Sequence, residues 1–182
     1  MTPEHPEGWW AYTDGSSLEN ANPEGGPGGI GIHASYNGEV KEWGIGYRKT
    51  TNNRMEIRAV IFLLEQFEEP TKITVFTDSQ YTIDASTKWI HSWRRNNWIT
   101  GAGLPVKNRD LFEQLDKLLK FHDVKLVKVR GHAGIPGNEA ADKLAGEAAK
   151  NPTLDDEGFV PSNRQPKPPA GYQPWWKRKF KK

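Results

Sequence analysis

The stretch KITVFT, residues 72–77, limits what this chain can fold into more than any other feature. After its lysine the run is nearly continuously apolar or β-branched, whereas a strand with one face in water alternates polar and apolar side chains. Pro70 just before it and Asp78 just after it confine the run to strand length. It therefore predicts a strand covered on both faces, and helices must supply the cover.

The surrounding sequence provides them. Residues 9–13, 29–36 and 39–47 read as strands, and Asn37-Gly38 is a hairpin turn between the last two, so an antiparallel meander comes first. The stretch NNRMEIRAVIFLLEQFEEP predicts a helix capped by Asn52 or Asn53 and closed before Pro70. A polar-aromatic, helical stretch is expected to about Trp98, then an amphipathic helix over 108–121 on Leu111, Leu115 and Leu118, a strand over 124–129 and a helix entered through Pro136. This order implies an α/β fold: a mixed five-stranded sheet, antiparallel meander plus parallel strands, flanked by helices.

Length and charge divide the chain. Its 182 residues suit one domain with a real core. The net charge is only +2, but residues 161–182 hold seven of the 25 Lys and Arg and no acidic residue. That segment is also proline-rich and lacks hydrophobic periodicity. The expected organisation is an N-terminal extension over 1–8, a folded domain over 9–155 and a flexible, basic-aromatic tail over 156–182. With no cysteine, disulfides and thiolate metal sites are excluded. No signal-peptide pattern or membrane-length run stands out, so a cytoplasmic monomer is expected. The glycine-rich GGPGGIG, residues 25–31, lacks the Lys-Ser/Thr of a phosphate loop and leads into a strand, so it reads as a turn with close backbone approach.

Two strands end alike, in YTDGS and FTDSQ, which places Asp14 and Asp78 at the carboxyl ends of core strands, where sites in open α/β sheets gather. Asp before Gly or Ser is also ordinary turn and cap chemistry. A third acid, Glu56, heads the apolar stripe Ala59, Val60, Leu63 and Phe67 of its helix, and a fourth, Asp142, sits among Ala141, Ala145, Gly146 and Ala149, small enough for close approach to the sheet. Each alone reads as a structural residue. Four on one edge would repel unless divalent cations stood between them, and oxygen ligands without cysteine point to Mg²⁺, with Mn²⁺ as an alternative. Two such ions about 3.5–4 Å apart is the geometry used to cleave phosphodiesters.

YTDGS, TTNNRMEIRA, TDSQY, WIHSWRRNNW, PVKNRDL and GHAGIPGNEAADKLA, colinear from about Trp9 to Phe159, closely resemble the bacterial type 1 ribonuclease H family. The resemblance implies the ribonuclease H-like fold and metal-dependent endonucleolytic hydrolysis of RNA in RNA–DNA hybrids, leaving 5′-phosphate and 3′-hydroxyl ends. It carries the catalytic and metal-ligating acids onto Asp14, Glu56, Asp78 and Asp142, with two ions per site, and marks His132 as a mobile histidine near the scissile phosphate. Substrate contacts are implied for Thr51, Asn52, Asn53 and Gln80, whose short polar side chains suit the shallow minor groove of a hybrid. Trp89, Trp93, Arg94 and Arg95 fall in the family's basic protrusion, although its distal TGAGL is uncharged here. The tail, with Trp175 and Trp176 beside five cations, is also expected to contact nucleic acid rather than a membrane. A catalytically silent hybrid-binding module is the competing reading; all four acids being present argues against it.

Overall fold

A computed structural model describes residues 2–173 of the chain. Its strands are β1 (Trp9–Ser17), β2 (Gly26–Tyr36), β3 (Glu39–Thr50), β4 (Lys72–Thr77) and β5 (Asp123–Lys128). The helices are α1 (Asn52–Glu65), α2 (Gln80–Asp84), α3 (Ile90–Arg95), α4 (Arg109–Phe121) and α5 (Pro136–Lys150), with a π-helical turn, Ala85–Trp89, joining α2 to α3. The five strands form one sheet in the order β3-β2-β1-β4-β5. β1–β2 and β2–β3 pair antiparallel, and β1–β4 and β4–β5 pair parallel, as the meander and KITVFT imply.

Each face of the sheet buries its own cluster. One is built by α1 and α4, with Met55, Ile57, Leu63, Leu64, Leu111, Phe112 and Leu115 packed over Ala11, Ile30 and Val75. Fully burying a side chain of this size contributes about 1.5–3 kcal/mol. The other joins Tyr12, Phe76, Val129 and Ile135 to Ala141 of α5.

Three local readings change. The α1 cap is Thr51, whose side chain accepts from the Arg54 N–H, rather than Asn52 or Asn53, which are the first helical residues. The glycine-rich run is not a turn but the opening of β2 from Gly26 onward. Close approach of α5 depends on these sheet glycines: a Cβ on Gly31 would stand 1.9 Å from the Ala141 carbonyl oxygen. Gly146, by contrast, faces open space.

The chain keeps packing past residue 155. Leu154 pairs with Arg48 of β3 through its carbonyl, and Ser162 donates its N–H to Pro23. Asp156 is buried, accepting from Arg54 Nε at 2.6 Å, Thr50 Oγ1 at 2.7 Å and Arg58 Nη2 at 3.0 Å. Arg54 also forms a two-pronged pair with Asp110 at the start of α4. Burial opposes the Arg54 charge, but these two carboxylates hold its pKa above the ordinary value; burial likewise opposes the Asp156 charge, and the same Arg54 bonds hold that carboxyl below its usual range. The tail expected to begin at 156 is thus docked at its start, while Trp175, Trp176 and the terminal cations lie outside the described residues.

Candidate active site

β1 and β4 run parallel at the centre of the sheet, and their pairing ends at Tyr12 beside Phe76, so Asp14 and Asp78, each two residues on, come out at the same edge; β1 does not end at Asp14 as expected but continues to Ser17 along β2. α1 begins against that edge because residue 15 is glycine. A Cβ there would stand 2.1 Å from the Glu56 backbone nitrogen. The contact brings the first turn of α1, and Glu56 with it, onto the end of β1.

Asp14, Glu56 and Asp78 each present a carboxylate oxygen within 4.8 Å of the others. Asp142 stands at the margin on the exposed face of α5, close enough to hydrogen-bond the Asp14 side chain. Burial and then the charges of Asp78 and Asp142 raise the Asp14 carboxyl to about 7. Burial, Asp14 and Asp78 hold Glu56 well above its ordinary value, opposed by the Gly15 N–H that donates to it. Glu56 Oε2 is buried without a hydrogen-bond partner among the described residues. Protons or cations must satisfy such a cluster. Hard, oxygen-only donors of high charge density fit Mg²⁺ or Mn²⁺.

His132 lies on the exposed loop between β5 and α5, at φ 52°, with Gly134 two residues on at φ 75°. Gly131 runs flush against Asp78: a Cβ would meet Asp78 Oδ2 at 2.7 Å. The loop therefore sits directly beside the carboxylates.

The substrate-contact residues fall in two places. Thr51 and exposed Asn53 line a cavity of about 480 Å³ with Lys107, Asn108 and Phe159. Between them Asn52 donates its backbone N–H to Asn20, and its own Oδ1 is buried without a partner among the described residues. Gln80 is exposed at the start of α2 and donates to Asp84 at 3.1 Å. In the basic-aromatic stretch, Trp89 is 41% exposed, whereas Trp93 packs on Phe112 with ring centroids 5.0 Å apart. Arg94 is turned toward Asp116 at 3.2 Å, while Arg95 is exposed. Trp93 and Arg94 thus anchor the stretch to α4, leaving Trp89 and Arg95 as its outward surface.

Two residues escape the sequence reading. Asn108, in the left-handed region at φ 59°, donates to the Tyr81 hydroxyl and accepts from Arg54, fixing the wall of the cavity that Thr51 and Asn53 share. Lys128, the last residue of β5, places its ammonium on the main-chain carbonyl of Asp78. The alternation Lys128-Val129-Arg130, with only the middle residue buried, was its available signal.

Residues 6–150 match the RNase H family profile. The chain belongs to the RNase H family. It is 49% identical over 148 residues to Ribonuclease H of Actinobacillus pleuropneumoniae serotype 5b, covering 81% of this chain and 94% of that protein. It is 48% identical over 148 residues to Ribonuclease H of Escherichia coli O9:H4, covering 81% and 93%. Among solved structures it is similar to LC9-RNase H1, a type 1 RNase H with the type 2 active-site motif, at a TM-score of 0.71 and 27% identity, covering 94% of this chain and all of that one. The solution structure of the PFV RNase H domain aligns at a TM-score of 0.65 and 26% identity, covering 80% of this chain and 96% of that one. These place the chain with the bacterial type 1 RNase H enzymes, and the mixed sheet is the RNase H fold. No helix among the described residues is long and apolar enough to cross a membrane.

Proposed function

We propose that this RNase H hydrolyses the RNA strand of RNA–DNA hybrids at the Asp14–Glu56–Asp78–Asp142 edge, using two divalent ions, Mg²⁺ or Mn²⁺, and leaving 5′-phosphate and 3′-hydroxyl ends. The observation that carries the reading is the convergence of three carboxylates within 4.8 Å, with Asp14 and Glu56 held protonation-prone by burial and then by that proximity. The four acids would hold the ions, which when bound supply the Lewis acidity that phosphodiester hydrolysis needs.

The remaining work falls to this chain's own groups. Asp14, central to the cluster, holds charge toward both Asp78 and Asp142. Glu56, fixed by the Gly15 N–H, can also accept from a ribose 2′-hydroxyl, the group that separates RNA from DNA. His132, on the loop beside the carboxylates, takes up or delivers a proton and helps product leave. Thr51, Asn52, Asn53 and Gln80 read the minor groove, and Trp89 and Arg95 form the surface that takes the DNA strand, with Trp93 and Arg94 anchoring that surface to α4.

Cleavage of an RNA–DNA hybrid in Mg²⁺, run beside matched duplex RNA and duplex DNA, tests the proposal. Hybrid-only cleavage of the RNA strand is expected. Asp14→Asn should abolish it while hybrid binding persists, because one charge and little surface are lost. Wild-type rates from that variant would remove the four-acid site.

A further inference from the structure

Beside Asp78, away from the basic-aromatic stretch, the surface opens into a basin of about 830 Å³. Lys128, Arg130 and His132 line it, Val129 and Ile135 form its floor, and Pro3 stands on its other wall. Among the described residues no acidic side chain lines it. Lys128 and Arg130 are both exposed because they alternate with buried Val129 at the end of β5.

The basin is continuous with the carboxylate edge. Lys128 touches the Asp78 carbonyl, and Gly131 leaves no side chain between Asp78 and the His132 loop. Its floor belongs to the cluster under α5, whereas Trp93 and Trp98 of the basic-aromatic stretch pack on the α1–α4 cluster across the sheet. The two cationic surfaces therefore flank the acids on opposite sides. A hybrid seated across the edge presents one strand to each. If the basic-aromatic side takes DNA, the basin faces the strand being cut.

The N-terminal segment shapes the outer wall. His5 stacks on Trp10 with ring centroids 3.8 Å apart and hydrogen-bonds the Tyr12 hydroxyl at 2.9 Å. Tyr12 in turn stacks on Phe76 at 4.8 Å. This seat holds the segment carrying Pro3 across from Arg130, and residues 2–5 lie outside the family match, which begins at residue 6. The wall therefore lies outside the matched residues.

We propose that the basin is a phosphate subsite for the RNA strand, in which Lys128 and Arg130 take the phosphodiesters adjoining the one that reaches Asp78. The N-terminal segment, held by His5, completes its wall. The proposal rests on the hybrid-cleavage reading above and adds to it a binding site outside the carboxylates. Cations aligned with backbone phosphates act by releasing counterions, so each engaged charge contributes about 0.9 to the salt dependence of duplex binding.

The test uses full-length protein in the Asp14→Asn background, so that binding is read without cleavage. Lys128→Ala with Arg130→Ala should weaken hybrid binding at low salt and reduce the slope of log K against log salt by about one to two. Lys128→Arg with Arg130→Lys should restore the slope. Hybrids carrying a single neutral methylphosphonate locate the contact. In the parent, neutralising the RNA phosphates next to the cleavage point should weaken binding, and in the double Ala variant that loss should vanish. An unchanged slope overturns the subsite, as does a loss that vanishes for DNA-strand phosphates instead. If Lys128→Ala lowers the melting temperature sharply, Lys128→Gln and Arg130→Gln measured singly carry the same test. His5→Ala should weaken binding roughly threefold with the slope intact, since a preorganised wall is lost and no phosphate contact; unchanged affinity removes the segment from the site. Should wild-type protein cleave hybrids while the Ala slope is unchanged, the subsite fails alone. Should it cleave none, the hybrid reading fails first.

Discussion

Replacing Asp14 by Asn should stabilise the metal-free protein, and the gain should depend on pH. An aspartyl group titrates near 3.8 when free, and in the folded cluster it titrates at about 7. A raised carboxyl pKa means that the native state holds its proton where the unfolded chain has released it. Its contribution to stability is fully present below pH 3.8 and is lost as pH rises toward 7. At about 1.4 kcal/mol per unit, the interval corresponds to a penalty of about 4 kcal/mol above pH 7. Asn removes that penalty but leaves a buried amide to be satisfied, so a gain of about 2–4 kcal/mol is expected at pH 8 and close to none at pH 4. Urea unfolding in chelator at pH 4, 5.5 and 8 measures it. Saturating Mg²⁺ should narrow the gap, because a ligand that binds only the native state stabilises wild type most. Equal stability of the two proteins at pH 8, or an equal gain at pH 4 and 8, would refute the electrostatic account of the cluster.

Three further outcomes are expected. His132→Ala should slow turnover yet leave a measurable rate in a hybrid-cleavage assay, since the acids and their ions supply most of the stabilisation of the reacting phosphate; complete loss with an intact fold would give the histidine a larger part. Asp156→Ala should cost about 3–5 kcal/mol in chemical denaturation, because it strands the buried Arg54 with Asp110 as its remaining acid; a change within experimental error would mean that solvent reaches Arg54 easily. Deleting residues 174–182 should leave turnover at saturating hybrid nearly unchanged while making binding less salt-dependent, by up to about 0.9 for each of its five cations; superimposable binding curves for the two lengths would take the tail off the nucleic acid.

The fold was legible where the signals were local. KITVFT fixed a central strand, Asn37-Gly38 turned β2 into β3 with both residues at positive φ, and the stripe behind Glu56 set the buried face of α1. The candidate acids were legible because Asp78 after a strand and Glu56 near a helix start are sequence features, although β1 runs on past Asp14 to Ser17. What escaped depends on partners distant in sequence. Asp156 meets Arg54 102 residues away, and no periodicity announces such a pair. The close backbone approach read in the glycine-rich run is real at Gly31, but its partner on α5 lies far along the chain, and Lys128 looks like any strand-end lysine until its reach to Asp78 is known. Arg94 falls among the cations of the basic protrusion, yet Asp116 on α4 turns it inward.

The buried Arg54 knot also orders events during synthesis. Its three charged members leave the ribosome far apart in time, with Arg54 first, Asp110 next and Asp156 last. Until translation passes residue 156, a nascent chain that closes its sheet over α1 must bury a guanidinium lacking the carboxylate bonded to its Nε. A partial chain therefore gains little from locking early, and the native state becomes favourable once nearly the whole domain has emerged.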